Sequence, residues 1–277
     1  MELNWLQSLI LGLVSGLTDL LPLSSQAHQT ILLTFFGQTG NIPVTRLVIH
    51  LASIITILVC IRGRIGQIRR QLRILRMPRR RRNRPVDLTV MMDLRILRTA
   101  LVPMIAMLLL YGVTRRWDGL PLLAAACLLN AVILYSPGLF PTADKDSRLV
   151  TPMESLYMGL GAGTGILPGM SALGVSYSLG VLHGIDKKYM VHLAVFMHLV
   201  ISAGMVFYDV LDILSAGVDV QGAMTILSWV AAGVSSVVGT MLGLRILDRA
   251  VHRKDLTGFG FYSFGLALLT FILYLVV

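Results

Sequence analysis

Two short polar interruptions of an apolar sequence constrain the fold more than any other feature. The first, "GLTDLLPLSSQAH" (16–28), places an acid, a proline, two hydroxyls and an imidazole inside an apolar stretch. The second, "TGILPGMSALG" (164–174), repeats the order of a proline followed by a serine. Proline breaks a helix because it lacks an N–H and clashes with the preceding turn. We therefore predict a broken helix at each interruption.

The composition places these broken helices in a membrane. Of the 277 residues, 55% are hydrophobic and 14% are charged, whereas soluble domains carry about 25% charged residues. A spanning helix needs about 20 mainly apolar residues. The candidate spans are 47–61, 99–114, 119–137, 189–208, 223–245 and 257–277. We expect an all-α polytopic membrane protein that forms a single membrane domain over 1–277.

The net charge of +10 is concentrated in one segment. Residues 62–84 hold eleven arginines and no acid, which is typical of a cytoplasmic loop under the positive-inside rule. We place this Arg-rich loop, 62–98, in the cytoplasm against anionic membrane lipids, and we expect no nucleic acid as partner. The other basic loops are placed on the same side, whereas the acidic stretch 209–222 and the C-terminus are placed outside.

The loop charges also predict how the two interrupted segments are threaded. The loops 138–152 and 183–188 both fall inside, so the segment between them must enter and leave on one face. The segment 5–36 must do the same from the opposite face. Each half is then a re-entrant helical hairpin followed by three spans, with repeat 1 at about 1–137 and repeat 2 at about 151–277, in inverted orientation. The alternative is two ordinary proline-kinked spanning helices.

The tips of these hairpins are the predicted binding site. A helix that begins inside the membrane presents unpaired N–H groups and a partial positive charge, which suit a phosphate. If the two tips meet, their hydroxyls and amides form an anion site without a fixed cation. The candidates are the hydroxyl and glycine positions at or near the tips: Ser24, Ser25, Gly169, Ser171, Thr164 and Tyr177.

Two ionisable residues flank the first break, and an ionisable group inside a membrane is by default a functional hypothesis. His28 could serve as a general acid, base or nucleophile in phosphoryl transfer, or it could satisfy a buried carbonyl. Asp19 could orient His28 or hold a divalent cation, or it could cap the second helix. The remaining candidates are interpreted as structural: His50, His192 and His198, with Glu154 as a helix N-terminal charge.

The two interruptions resemble the motifs of the undecaprenyl-pyrophosphate phosphatase (bacitracin-resistance protein) family. "GLVSGLTDLLPLSSQAH" is similar to the first family motif, approximately G-x-x-E-G-x-T-E-F-x-P-[IV]-S-S-x-x-H. "PGMSALG" is similar to the second, approximately P-G-x-S-R-S-G. Looser matches at "TRLVIHLAS" and "KYMVHLAVFMHL" extend the resemblance over most of the chain. It implies two inverted repeats with two re-entrant hairpins in a bacterial cytoplasmic membrane.

The resemblance also implies an activity and its residues. The family removes the terminal phosphate of a C55 polyprenyl pyrophosphate and so regenerates the carrier lipid for cell-wall polymers. The matching positions are Ser24, Ser25, His28, Gly169 and Ser171, with Asp19 standing for the second of two glutamates. The departures are Ser15 for the first glutamate, Ala172 for an arginine, Leu173 for the serine after it, and Ser263 for an arginine that follows a tyrosine, here Tyr262.

These departures leave two functions open. Cationic groups stabilise the charge that develops in pyrophosphate hydrolysis, and an arginine finger is worth about 10³–10⁵ in rate where it is measured. One hypothesis is a phosphatase in which His28, Asp19 and Ser25 carry the chemistry and Mg²⁺ or Ca²⁺ replaces the missing cation. The other is a non-hydrolytic transporter of undecaprenyl phosphate, which inverted repeats suit. A structural role in an envelope-synthesis complex and a homodimer also stay open.

Overall fold

The computed structural model describes residues 3–38, 42–78, 86–114, 119–140, 145–216, 223–252 and 256–276. Within these ranges the regular elements are helical, and one isolated bridge joins Lys145 and Ile185. The α-helices are α1 (Trp5–Asp19), α2 (Ser25–Phe35), α3 (Pro43–Cys60), α4 (Arg62–Arg76), α5 (Leu88–Thr114), α6 (Leu120–Tyr135), α7 (Pro152–Gly163), α8 (Ala172–Leu182), α9 (Lys187–Ala216), α10 (Ala223–His252) and α11 (Thr257–Val276). The predicted all-α class is confirmed.

Six of the described helices are long and apolar enough to cross a membrane. They are Pro43–Cys60, Leu88–Gly112, Leu120–Gly138, Lys187–Ser215, Met224–His252 and Thr257–Val276. Each overlaps one predicted span, so the polytopic prediction is confirmed. The largest difference is at α5, which begins at Leu88 rather than at 99.

The segment 62–98, predicted as an Arg-rich loop, is largely helical. It contains α4 and the start of α5, while residues 79–85 lie outside the described residues. Arginine, leucine and isoleucine are adequate helix formers, and Ile65, Ile68 and Leu72 fall at helical spacing on one side of α4. No residue of α4 is buried, which is typical of an amphipathic helix at an interface. The segment between the spans therefore has helical structure of its own, and its cytoplasmic placement stays a prediction.

Both predicted helix breaks are confirmed. Pro22 lies between the end of α1 and the start of α2, and Pro168 lies between α7 and α8. A 3₁₀ turn, Thr164–Ile166, extends α7 before the second break. The two helices of each pair contact each other, so each pair is a helical hairpin with a proline in its tip. Re-entry of these hairpins on one membrane face stays a prediction.

Helices of the first half of the chain pack against helices of the second half. The first helix of each half packs along a helix of the other half: α1 on α10, and α7 on α5. In addition, α3 packs on α9 and α6 packs on α11. Two interlocked repeats require reciprocal contacts of this kind. The repeat boundaries, 1–137 and 151–277, stay a prediction.

Small residues bring α1 and α10 into close contact. A side chain at Gly12 would collide with the carbonyl of Ala232, and one at Gly16 would collide with the carbonyl of Ser236. Small residues at helix contacts are typical of membrane proteins, where van der Waals packing contributes strongly to helix association. The contact fixes α1, and with it the position of Asp19 at its C-terminal end.

Candidate functional site

The two hairpin tips are in direct contact. The backbone N–H of Gly169 donates to Ser24 Oγ at 3.0 Å, and Ser171 Oγ donates to the carbonyl of Leu21 at 3.5 Å. Each serine is also the N-cap of its own helix, α2 or α8, and accepts from a backbone N–H three residues on. The helices that begin at the two breaks therefore converge, as the sequence predicts.

The hydrogen bonds of Ser24 determine what its hydroxyl can still do. A serine hydroxyl has two acceptor lone pairs and one donor hydrogen. Both lone pairs are occupied, by the N–H of Ala27 at 3.3 Å and that of Gly169 at 3.0 Å. The O–H is left to donate, and Ser24 lines a cavity beside the joined tips. A phosphate oxygen in this cavity is a suitable acceptor.

The cavity gathers polar groups from both hairpins and from α3 and α9. Its polar lining consists of Ser24, Ser25, Gln26, Ser171, Ser202, Asp19, His50 and His198. No lysine or arginine is among the described residues that line it. The structure thus brings together four predicted residues (Asp19, Ser24, Ser25 and Ser171) and adds two imidazoles that the sequence analysis had interpreted as structural.

Asp19 and His198 face each other in this cavity. The distance from Asp19 Oδ2 to His198 Nε2 is 3.5 Å, and each side chain is 9% exposed. Ser202 Oγ lies 3.2 Å from the same ring nitrogen. Asp19 Oδ2 and His198 Nδ1 are buried without a hydrogen-bond partner among the described residues. Because buried polar atoms are normally paired, these two atoms indicate a place for a polar ligand.

The alternative that Asp19 caps α2 is wrong, since the N-cap of α2 is Ser24. The pairing of Asp19 with His198 could not be read from sequence spacing, because it joins the end of α1 to the middle of α9. One feature of the sequence could have indicated this role: His198 is a histidine within a strongly apolar span.

His50 lies between the cavity and an aspartate of α9. It lines the cavity, and its Nδ1 bonds to Asp209 Oδ2 at 2.6 Å. Asp209 is 3.8 Å from Arg46 Nε, and Arg46 also contacts Asp212 at 3.8 Å. Arg46 therefore balances two carboxylates at one end of α3 and α9, and it is not among the described cavity residues.

His28 is directed to α11 instead of the cavity. Its Nδ1 lies 2.7 Å from the carbonyl oxygen of Ser24, and its Nε2 lies 2.8 Å from Tyr262 Oη. The ring also stacks on that of Tyr262. Both ring nitrogens are engaged, which matches the alternative that His28 satisfies a buried carbonyl. Within the described residues His28 does not line the cavity, and its catalytic role stays a prediction.

Two positions that depart from the family pattern lie at the cavity or next to it. Ala172 lines the cavity with its methyl group. Ser15 is fully buried one helical turn before Asp19, and its carbonyl accepts from Ser25 Oγ at 3.1 Å. Ala172 thus borders the cavity, whereas Ser15 is packed inside the protein.

The other two departed positions are structural, and one of them reveals a residue that the sequence analysis missed. Leu173 is fully buried in the apolar core. Ser263 accepts from Asn130 Nδ2 at 3.2 Å, while Asn130 Oδ1 accepts from the N–H of Ser171 at 3.0 Å. Asn130, a lone amide in the apolar run of α6, therefore holds the second tip against α11.

Two further candidates lie elsewhere. Thr164 Oγ1 donates to the carbonyl of Gly161 at 2.7 Å, and Tyr177 is buried in the apolar core. Neither is among the described residues that line the cavity.

The groups around Asp19 do not fit a resident divalent cation. Ca²⁺ takes six to eight oxygen ligands and Mg²⁺ takes six, whereas the cavity offers one carboxylate that faces an imidazole. In the part of the chain that the structure describes, no three His, Cys, Asp or Glu side chains are grouped to hold a metal. We therefore do not assign Asp19 as a metal ligand.

Known proteins resemble this chain over nearly its whole length. The family model described as "Bacitracin resistance protein BacA" matches residues 8–269. Undecaprenyl-diphosphatase 1 of Burkholderia lata is 29% identical over 282 residues, covering 96% of each chain. The undecaprenyl-diphosphatase of Bacteroides thetaiotaomicron is 26% identical over 262 residues, 94% of this chain and 95% of the relative. Undecaprenyl-diphosphatase 1 of Shouchella clausii is 23% identical over 271 residues, 98% of this chain and 96% of the relative.

Proposed function

This chain belongs to the bacitracin resistance protein BacA family, and we propose that it is an undecaprenyl-diphosphatase. It would release phosphate from undecaprenyl pyrophosphate and thereby recycle the polyprenyl-phosphate carrier lipid of cell-envelope synthesis. The names of the relatives support this activity. The observation that carries it is the cavity beside the bond from Gly169 N–H to Ser24 Oγ, where both hairpins contribute hydroxyls.

In this proposal the joined tips bind the diphosphate headgroup. Ser24 donates its remaining O–H to a phosphate oxygen. Ser25 and Ser171, whose O–H groups donate to the carbonyls of Ser15 and Leu21, hold the starts of α2 and α8 at the cavity. The N-termini of these two helices contribute a partial positive charge. Gly169 shapes the tip, since its φ of +99° is a conformation that favours glycine.

The reaction is hydrolysis of a phosphoric anhydride. A water oxygen attacks the terminal phosphorus, the bond from that phosphorus to the bridging oxygen breaks, and undecaprenyl phosphate leaves. Asp19 is the carboxylate of the cavity and faces His198, and Ser25 holds the start of α2 against α1 by donating to the Ser15 carbonyl. His28 contributes by holding the Ser24 carbonyl, through which it fixes the start of α2.

The donors around Asp19 do not fit a resident Mg²⁺ or Ca²⁺, and the proposed reaction routes no step through such an ion. The arginine helix α4 would lie on anionic lipids of a bacterial cytoplasmic membrane. With α4 on the cytoplasmic face of the membrane, the other basic segments are also cytoplasmic and the C-terminus is outside. A homodimer stays a prediction.

The transporter hypothesis is not favoured, because the relatives quoted above are all named as diphosphatases. The test is phosphate release from undecaprenyl pyrophosphate by the purified protein in detergent, with and without Mg²⁺. We expect release that falls at least tenfold in Ser24→Ala. Ser215→Ala, an exposed serine elsewhere on α9, is the matched control and keeps the wild-type rate. Binding of undecaprenyl phosphate without any phosphate release from the diphosphate would restore the transporter.

A further inference from the structure

Two imidazoles, those of His50 and His198, line the cavity, and His198 faces Asp19. Both ring nitrogens of His28 are engaged, and His50 Nδ1 is bonded to Asp209. His198 Nδ1, in contrast, is buried without a partner among the described residues. We propose that His198 is the general base of the diphosphatase reaction and that Asp19 is its positioning residue. This inference rests on the proposed function.

The neighbours of His198 determine which nitrogen can accept a proton. An ionised carboxylate only accepts hydrogen bonds, so Asp19 Oδ2, 3.5 Å from His198 Nε2, favours the tautomer with hydrogen on Nε2. In that tautomer Ser202 Oγ, 3.2 Å from Nε2, accepts from the N–H. The lone pair then lies on Nδ1. A carboxylate behind an imidazole also stabilises the imidazolium that forms when the ring takes a proton.

The proton transfer balances with hydrolysis. A water molecule between His198 and the terminal phosphorus gives one proton to Nδ1 as its oxygen forms the new P–O bond. The electron pair of the breaking P–O bond leaves with the bridging oxygen of undecaprenyl phosphate. The imidazolium then releases its proton to solvent or to a product phosphate, and Asp19 stays ionised throughout.

The other charged groups around His198 are few and identifiable. Asp19 of α1 faces the ring, and α3, which packs on α9, presents His50, behind which lie Asp209 and Arg46. The cavity residues of α2 and α8 are uncharged. On the other packed helices, Asp93 of α5 contacts Arg64 and Tyr189, and Glu154 of α7 contacts Lys145. The other charged residues and histidines of α5 and α10 are exposed: Arg95, Arg98, Arg245, Asp248, Arg249 and His252. Asp19 is therefore the charge in direct contact with the ring.

The test compares three histidine variants of the full chain in detergent across pH. His198→Gln should lower kcat/KM for undecaprenyl pyrophosphate by about 10²–10⁴, the usual contribution of general acid–base catalysis. It should also abolish the fall in rate on the acidic side, where a base is protonated. His192→Gln, on the same helix but outside the cavity, keeps the wild-type rate and profile. His28→Gln lowers the rate but retains the acidic limb.

The phosphate-release results distinguish failure of the His198 role from failure of the diphosphatase activity. Wild-type release of phosphate with a His198→Gln rate within threefold, or with an unchanged acidic limb, overturns the role of His198 and leaves the diphosphatase standing. Absence of wild-type phosphate release overturns both. Should His198→Gln not fold, diethyl pyrocarbonate labelling of the wild type decides: modification of His198 must be blocked by inorganic pyrophosphate and must track loss of activity. Labelling of His198 that pyrophosphate does not block overturns the proposal.

Discussion

The backbone N–H of Gly169 donates to Ser24 Oγ at 3.0 Å, across 145 positions of the chain. This bond joins the tips of two helical hairpins and places the starts of α2 and α8 side by side. It also occupies a lone pair of Ser24, which leaves the serine O–H able to donate to a ligand. A single contact thus connects the fold to the proposed phosphate site.

Replacing Ser24 should destabilise the joined tips. Ser24→Ala removes the N-cap of α2 and the acceptor for Gly169, so we expect a loss of about 2 kcal/mol in the free energy of unfolding. Thermal unfolding in detergent measures it. Ser24→Thr, which keeps the hydroxyl, should recover most of the loss. Equal melting temperatures for Ser24→Ala and wild type would show that the bond between the tips contributes nothing.

Gly169 should not tolerate a side chain. Its φ is +99°, and a Cβ there would lie 2.6 Å from Ala126 Cβ and 2.9 Å from the backbone nitrogen of Cys127. We expect Gly169→Ala to cost at least about 2 kcal/mol, from backbone strain and overpacking against α6. Gly265→Ala on α11 is the control, since a Cβ there meets no atom within 4 Å. Similar melting temperatures for the two variants would contradict the clash.

Asp93 should anchor the arginine helix. It is buried on α5, forms an ion pair with Arg64 of α4, and accepts from Tyr189 Oη at 2.6 Å. Asp93→Ala leaves a partly buried arginine uncompensated, so we expect a loss of about 2–3 kcal/mol and faster trypsin cleavage within α4. Asp146→Ala, at an exposed ion pair, is the control. The anchor is refuted if both variants are cleaved at the wild-type rate.

Acid should weaken the start of α7. Partial burial tends to raise the pKa of Glu154, but hydrogen bonds from Lys145 and Thr151 outweigh it and hold the pKa below its ordinary value. The folded state therefore binds this proton less readily than the unfolded state. The stabilisation is present above the ordinary glutamate pKa and is lost as the pH falls through the lowered one.

The measurement for Glu154 is the melting temperature of wild type and Glu154→Gln as a function of pH. Wild type should melt higher near neutrality, and the difference should shrink as the pH falls below the ordinary glutamate pKa and vanish below the lowered one. A difference that persists in acid would mean that the carboxylate charge is not its source.

Two departed positions should respond differently to restoration of the family residues. Ala172 lines the cavity, so Ala172→Arg brings a cation to the phosphates and should lower KM for undecaprenyl pyrophosphate about tenfold, the value of one charged hydrogen bond. Ser15 is fully buried, so Ser15→Glu should cost about 1–3 kcal/mol by overpacking and charge burial. Phosphate-release kinetics and thermal unfolding measure the two effects. A stable Ser15→Glu protein with wild-type melting would contradict the packing.

The sequence alone determined the elements of this protein whose causes are local. Spanning helices follow from apolar length, the breaks at Pro22 and Pro168 follow from a missing N–H, and the N-caps at Ser24 and Ser171 follow from hydroxyls at helix starts. Each of these depends on residues within a few positions. The convergence of the two tips also followed, because the loop charges and the repeated Pro–Ser pattern placed both breaks in matching positions of the chain.

Only the tertiary structure decided which side chains meet. His28 faces Tyr262 rather than the cavity, Asp19 faces His198, and Asn130 holds the second tip. These pairs join helices that are far apart in sequence, and the rotation of each helix about its axis is set by close packing such as that of α1 on α10. A histidine in an apolar span looks the same in the sequence whether it points to a neighbour's backbone or into a cavity, because packing, not local propensity, selects the direction.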